Sequence, residues 1–128
     1  MSETSTGFGR VLVAVYAIFA IAATSRSTYQ LLTRFDEAPL AYLLSALAGV
    51  VYIVATLALA RGLASIAFVA IGIELIGVLI VGLLTVLDKG LFPDATVWSN
   101  FGQGYGFVPL VLPFIGLWWL WWLRRVHS

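Results

Sequence analysis

Residues 63–87 read LASIAFVAIGIELIGVLIVGLLTVL, a 25-residue stretch that is almost wholly apolar apart from Glu74 at its midpoint. At about 1.5 Å per residue, a helix of that length crosses the roughly 30 Å hydrocarbon core of a bilayer. A carboxyl at that depth costs about 2.5–3.5 kcal/mol on insertion scales. Such a group faces a bundle interior, a water-filled cavity or a partner chain. The segment closes at Asp88-Lys89-Gly90.

The rest of the chain agrees with a membrane setting. Of 128 residues, 62% are hydrophobic and 10% charged, against about 25% charged in a soluble domain. The length suits one domain. A net charge of +1 gives no basic surface for nucleic acid. The chain has no cysteine, which excludes disulfides, thiol catalysis and cysteine-based metal sites. His127, the single histidine, sits at the C-terminus and reads as solvated.

Working outward, Arg61-Gly62 precedes the central segment. Glycine suits the position just past a helix, and arginine suits its last turn. They close a second span over about residues 38–60, which opens with Asp36-Glu37 and has Pro39 in its first turn. The short link makes these two spans a tight antiparallel hairpin. A first span covers about residues 8–30. Its core, Val11–Ala23, with Arg10 before it and Ala20-Ile21-Ala22 within it, also resembles a signal peptide. The expected reading is an uncleaved helix that continues in polar form through Tyr29-Gln30. Residues 1–6 read as a polar, disordered leader.

After the central segment comes the longest connection, Asp88–Gly106, with Gly90, Pro93, Leu91, Phe92, Trp98, Phe101 and Tyr105. It is too aromatic to be freely solvated. A short interfacial helix over Ala95–Phe101, with Trp98 and Phe101 facing lipid, is expected. Its Gly-Gln-Gly-Tyr-Gly run does not match a phosphate-binding loop. The fourth span, about residues 107–123, has Pro109 in its first turn and a kink expected at Pro113. Trp118, Trp119, Trp121 and Trp122 read as an interfacial belt, and Arg124 and Arg125 as headgroup anchors.

Four spans put both termini on one side, with Arg10, Arg61, Arg124 and Arg125; Arg26, Arg34 and Lys89 lie on the other. This weak bias places both termini in the cytoplasm and the chain in the plasma membrane. It also permits dual topology.

Glu74 is the first functional candidate. Burial disfavours its charged form unless it is paired. Depth matching offers Ser45 and Tyr52 on the second helix and Tyr16 on the first as partners, with Arg26 a further static option. A fixed or interface role and a proton- or cation-binding role both remain open. Ala41, Ser45 and Gly49, spaced by four, form a small-residue face for close helix packing, with Ala48 and Ala55 beside it. Gly72, Gly77 and Gly82 recur every five residues and drift around the helix, so they do not read as one groove. Arg26–Gln30 and Arg34–Glu37 form a charged cluster in which local salt bridging is expected. There is no Ser/His/Asp set, no metal-ligand spacing and no pair of carboxylates within the membrane, so neither enzyme nor cofactor is expected.

The run Ser27–Tyr42 (STYQLLTRFDEAPLAY) together with Gly104–Leu110 (GYGFVPL) resembles small four-helix integral membrane proteins of actinobacteria. That resemblance implies a multi-pass plasma-membrane protein and carries no catalytic residues. Small multidrug-resistance transporters also combine four helices with a membrane glutamate, but theirs is on the first helix, so proton coupling does not transfer. No convincing match to the motifs of dual-topology fluoride channels is found. The sequence reading is thus an all-α protein of four transmembrane helices with a short interfacial segment before the fourth. It is expected to be a non-catalytic accessory subunit, its partners being lipids and other membrane subunits or further copies of itself. The alternative is a small oligomeric transporter using Glu74.

Overall fold

The computed structural model describes residues 3–88, 96 and 98–126 and, over these, is built of helices. The expected turn at Lys89-Gly90, the Leu91-Phe92-Pro93 stretch and His127 lie outside the described residues. Four α-helices follow in order: α1 (Glu3–Thr33), α2 (Pro39–Ala60), α3 (Ala64–Leu87) and α4 (Val108–Val126). Gly7–Thr33, Pro39–Ala60 and Ala64–Leu87 are each long and apolar enough to cross a membrane. α4 is shorter, at 19 residues, and carries Pro113 inside it and Arg124 and Arg125 in its last turn.

α1 begins earlier than expected, taking in residues 3–6. It also runs without a break through Thr24-Ser25-Arg26-Ser27. Hydroxyls that interrupt an apolar run need not break a helix, because they can bond to its own carbonyls. Ser27 Oγ donates to the Thr24 carbonyl at 3.2 Å and Thr33 Oγ1 to that of Tyr29 at 2.6 Å. Thr56 and Thr85 do the same within α2 and α3.

The α2–α3 hairpin follows its sequence signals. Arg61 caps α2, and Gly62 takes φ +70°, the left-handed conformation that glycine adopts without steric cost. Gly62 N–H donates to the Leu59 carbonyl at 3.3 Å and Leu63 N–H to that of Ala58 at 2.8 Å. This crossed pair is a Schellman closure, which satisfies carbonyls at the helix end. At the α1–α2 link, Arg34 pairs with Glu37 at 2.5 Å across a short 3₁₀ turn, Phe35–Glu37. Both side chains are half exposed or more, so the pair adds about 0–1 kcal/mol.

α1 packs on α2, α2 on α3, and α3 on α4. The Ala41–Ser45–Gly49 face is buried and turned inward, where Gly49 meets Thr24 of α1. A Cβ at Gly49 would lie 2.9 Å from Thr24 Oγ1 and 3.3 Å from its backbone nitrogen. Gly49→Val is therefore expected to destabilise the fold by about 1–3 kcal/mol through overpacking. Thermal unfolding in detergent measures this, and an unchanged midpoint would show that the two helices can part there freely.

The distribution of polarity is inverted relative to a soluble domain. Large apolar side chains face outward, with Ile18 63%, Ile21 69% and Val69 63% exposed, while Glu74, Ser27, Gln30 and Ser45 are buried. A lipid solvent explains this arrangement, since it takes apolar groups without penalty and excludes polar ones.

The connection before α4 differs most from expectation. Of the expected interfacial helix Ala95–Phe101, Ala95 and Val97 lie outside the described residues; Trp98 is buried rather than facing lipid, and Phe101 is half-buried. Thr96 is outside any helix, and a 3₁₀ segment covers Ser99–Tyr105, packed on α3 and α4. Asn100, Phe101 and Gly102 take positive φ values of 52°, 59° and 84°. The left-handed turn costs about 1–2 kcal/mol at each non-glycine position. It directs the segment onto α3, where Phe101 meets Gly82.

Candidate functional site

Glu74 is fully buried at mid-span of α3. Tyr16 of α1, also fully buried, donates its Oη hydrogen to Glu74 Oε1 at 2.6 Å. Glu74 Oε2 is buried without a hydrogen-bond partner among the described residues. Of the three side chains at matching depth, Tyr16 is the one bonded to Glu74, rather than Ser45 or Tyr52. The other two candidates are buried nearby but make no hydrogen bond to the carboxyl. Arg26 is not its partner either: it donates from Nη1 to Tyr105 Oη at 3.3 Å, linking α1 to the loop.

Tyr52 is engaged elsewhere. Its Oη accepts the Trp98 indole N–H at 3.1 Å. Trp98 is 1% exposed, which corrects the expectation that it faces lipid. Its position is fixed locally as well. Trp98 N–H donates to Thr96 Oγ1 at 3.1 Å, and Thr96 N–H donates to Ser99 Oγ at 2.8 Å. These side-chain bonds turn the backbone where no helix supports it.

Two glycines of α3 make room for the loop. A Cβ at Gly77 would lie 2.5 Å from the Trp98 ring, and one at Gly82 would collide with Phe101. Gly77 lies ten residues before the end of α3 at Leu87, or about 15 Å along the helix. The loop therefore dips deep into the bundle. Irregular backbone is tolerated at such depth where protein surrounds it or where it lines a water-filled cavity. Gly77 and Gly82 seat neighbouring aromatic rings, whereas a Cβ at Gly72 would meet no described atom within 4 Å, so two of the three regularly spaced glycines share a role.

An aromatic set joins these groups. Tyr16 and Tyr52 have ring centroids 6.1 Å apart, Tyr52 and Phe19 5.5 Å, and Phe19 and Tyr105 5.6 Å. On the α4 side, a Cβ at Gly116 would lie 3.3 Å from Tyr16 Oη, so the missing side chain lets α4 close over the pair.

The tryptophan belt is only partly a belt. Trp118 and Trp121 are about half exposed, and Trp118 stacks on Trp122 with centroids 6.5 Å apart. Arg125 lies over the Trp121 ring at 5.0 Å, and Arg124 is exposed. Trp119 is not a surface anchor. It is 3% exposed and packs against Phe8 and Gly9 of α1. Tryptophans in consecutive pairs point in different directions around a helix, so one of them turns inward.

Among the described residues, no group of three His, Asp or Glu side chains could hold a metal ion. What the site offers is a buried carboxyl, a phenol bonded to it, and a second phenol–indole pair beside it. Fold and site together define an all-helical protein with candidate membrane spans and a polar centre sealed by an inserted aromatic loop. Comparison with protein-family models, curated proteins and solved structures found no match.

Proposed function

We propose that this chain is a non-catalytic subunit of a larger membrane assembly, with Glu74 as a fixed latch of its own fold. The observation that supports this reading is the enclosure of the carboxyl. Glu74 has no exposed surface, and its bond to Tyr16 ties α3 to α1. The loop bearing Trp98 sits on α3 one turn away, against Gly77. A group held so closely suits shape maintenance better than exchange with solvent.

In this reading α4 is the fourth span, and both termini lie on the cytoplasmic side of the plasma membrane. Phe8 packs on Trp118 and Trp119, so the start of α1 and the end of α4 share one side of the bundle. That side gathers Arg10, Arg61, Arg124 and Arg125, in keeping with the positive-inside rule. The outward apolar faces of α2 and α3 are free to meet lipid or a partner helix. Between them runs an apolar groove of about 460 Å³, lined by residues such as Val50, Val54, Ile66 and Val69.

Purification of the tagged chain from native membranes in a gentle detergent, with mass determination of the intact assembly, tests the proposal. A stoichiometric heteromer is expected. A homo-oligomer alone would overturn it.

One observation favours a second reading, a small oligomeric transporter coupled to a proton or cation. Glu74 Oε2 has no partner among the described residues, so the carboxyl keeps a site for one. Here pH-dependent ligand binding by a homo-oligomer is expected, lost in Glu74→Gln. In the subunit reading, Glu74→Gln folds and assembles as the parent does.

A further inference from the structure

At the arginine-rich side of the bundle, the start of α3 and the end of α4 stand apart and leave a cleft. Its outer part, about 370 Å³, is lined by Ala64, Ser65, Phe68, Leu120, Leu123 and Arg124. An adjoining cavity of about 130 Å³ shares Ala64, Leu120 and Leu123 and continues to Ala67 and Trp119. The cleft is thus apolar inside and polar at its mouth.

Three observations give it a chemical preference. Arg124 stands at the mouth, exposed, and makes no ion pair among the described residues. Its neighbour Arg125 is turned away, over Trp121. α3 starts beside it with no side-chain cap at Leu63; Ala64 N–H already donates to the Gly62 carbonyl at 3.1 Å, so the amides of Ser65 and Ile66 in the first turn of a 24-residue helix present partial positive charge there. Trp119, lining the inner cavity, has a buried Nε1 with no acceptor among the described residues. Among the described side chains, the acids Asp36, Glu37 and Asp88 lie at the opposite helix ends, and Glu74 lies at mid-span.

We propose that this cleft binds one anionic phospholipid of the surrounding membrane. The phosphate sits on Arg124 and the first turn of α3. A glycerol-ester oxygen in the inner cavity supplies an acceptor for the Trp119 N–H. An acyl chain follows Phe68 and Leu120 toward the bilayer centre. A free anion satisfies only the mouth and leaves the apolar walls bare. The inference rests on the chain lying in a membrane, and not on its being a subunit.

The test counts lipids bound to detergent-purified protein by native mass spectrometry, during titration with phosphatidylglycerol or phosphatidylcholine. One phosphatidylglycerol is expected to bind in preference. Arg124→Gln should weaken it about fivefold, the effect of removing one cation near an anionic headgroup. Ala64→Phe fills the cavity both parts share and should abolish binding, whereas Arg125→Gln should leave the preference in place. Equal affinity for the two lipids, or equal losses in Arg124→Gln and Arg125→Gln, would overturn the proposal. So would displacement of the lipid by inorganic phosphate, which would leave an anion site alone. A chain that stays monodisperse without detergent would instead overturn the membrane reading, which separates the two failures.

Discussion

Tyr16→Phe removes a single oxygen and is expected to destabilise the fold by about 1–3 kcal/mol, the cost of a buried polar group left without a partner. The size of the effect follows from the accounting at Glu74. Its Oε1 accepts the Tyr16 hydroxyl at 2.6 Å, and its Oε2 has no partner among the described residues. Without the hydroxyl, a fully buried carboxyl loses its one hydrogen bond to the described residues. Glu74→Gln keeps an acceptor for Tyr16 and should cost little. Glu74→Leu strands the tyrosine hydroxyl instead. The double variant Tyr16→Phe with Glu74→Leu removes both demands and should recover most of the loss, because apolar replacement of a buried polar pair is often close to neutral. Thermal unfolding of the four variants in one detergent decides the matter. If the double variant is less stable than either single one, the pair is not the isolated latch described above.

Gly77→Leu should have an effect of similar or greater size by a different route. Its Cβ alone would come within 2.5 Å of the Trp98 ring. The ring's N–H is bonded to Tyr52 and the Trp98 backbone N–H to Thr96, so the ring leaves its seat only by straining or breaking these bonds. Overpacking of this kind costs about 1–3 kcal/mol, and loss of the Trp98–Tyr52 bond adds about 1 kcal/mol. Gly72→Leu is the control, since Gly72 has open space around it. There, leucine should stabilise the helix by up to about 1 kcal/mol. The chain has no cysteine, so Ser99→Cys provides a single reporter. Ser99 is buried, and a cysteine there should resist a membrane-impermeant thiol reagent in the parent and react with it in the Gly77→Leu background. Protection in both backgrounds would mean that the loop stays seated without the glycine.

The sequence by itself determined the helices and their solvent. Uninterrupted apolar runs fix α2 and α3, Arg61-Gly62 fixes the turn between them, and Glu74 stands out because nothing else in its helix is ionisable. Each of these signals is local: a run length, a backbone conformation that glycine accepts, a charge at the wrong depth. Which way each helix is turned was not legible. A helix that is apolar all round carries little amphipathic signal, so its rotation is set by where small residues let neighbours approach. Hence Tyr16 could be named only as one of three partners for Glu74, and Trp119 was counted with the outward tryptophans although it packs inward. The depth of the loop was hidden for a related reason. Tryptophan suits a membrane interface and a protein interior equally, given a partner for its N–H. Tertiary structure alone decided between them, by bringing Tyr52 and the bare backbone of Gly77 to the Trp98 ring.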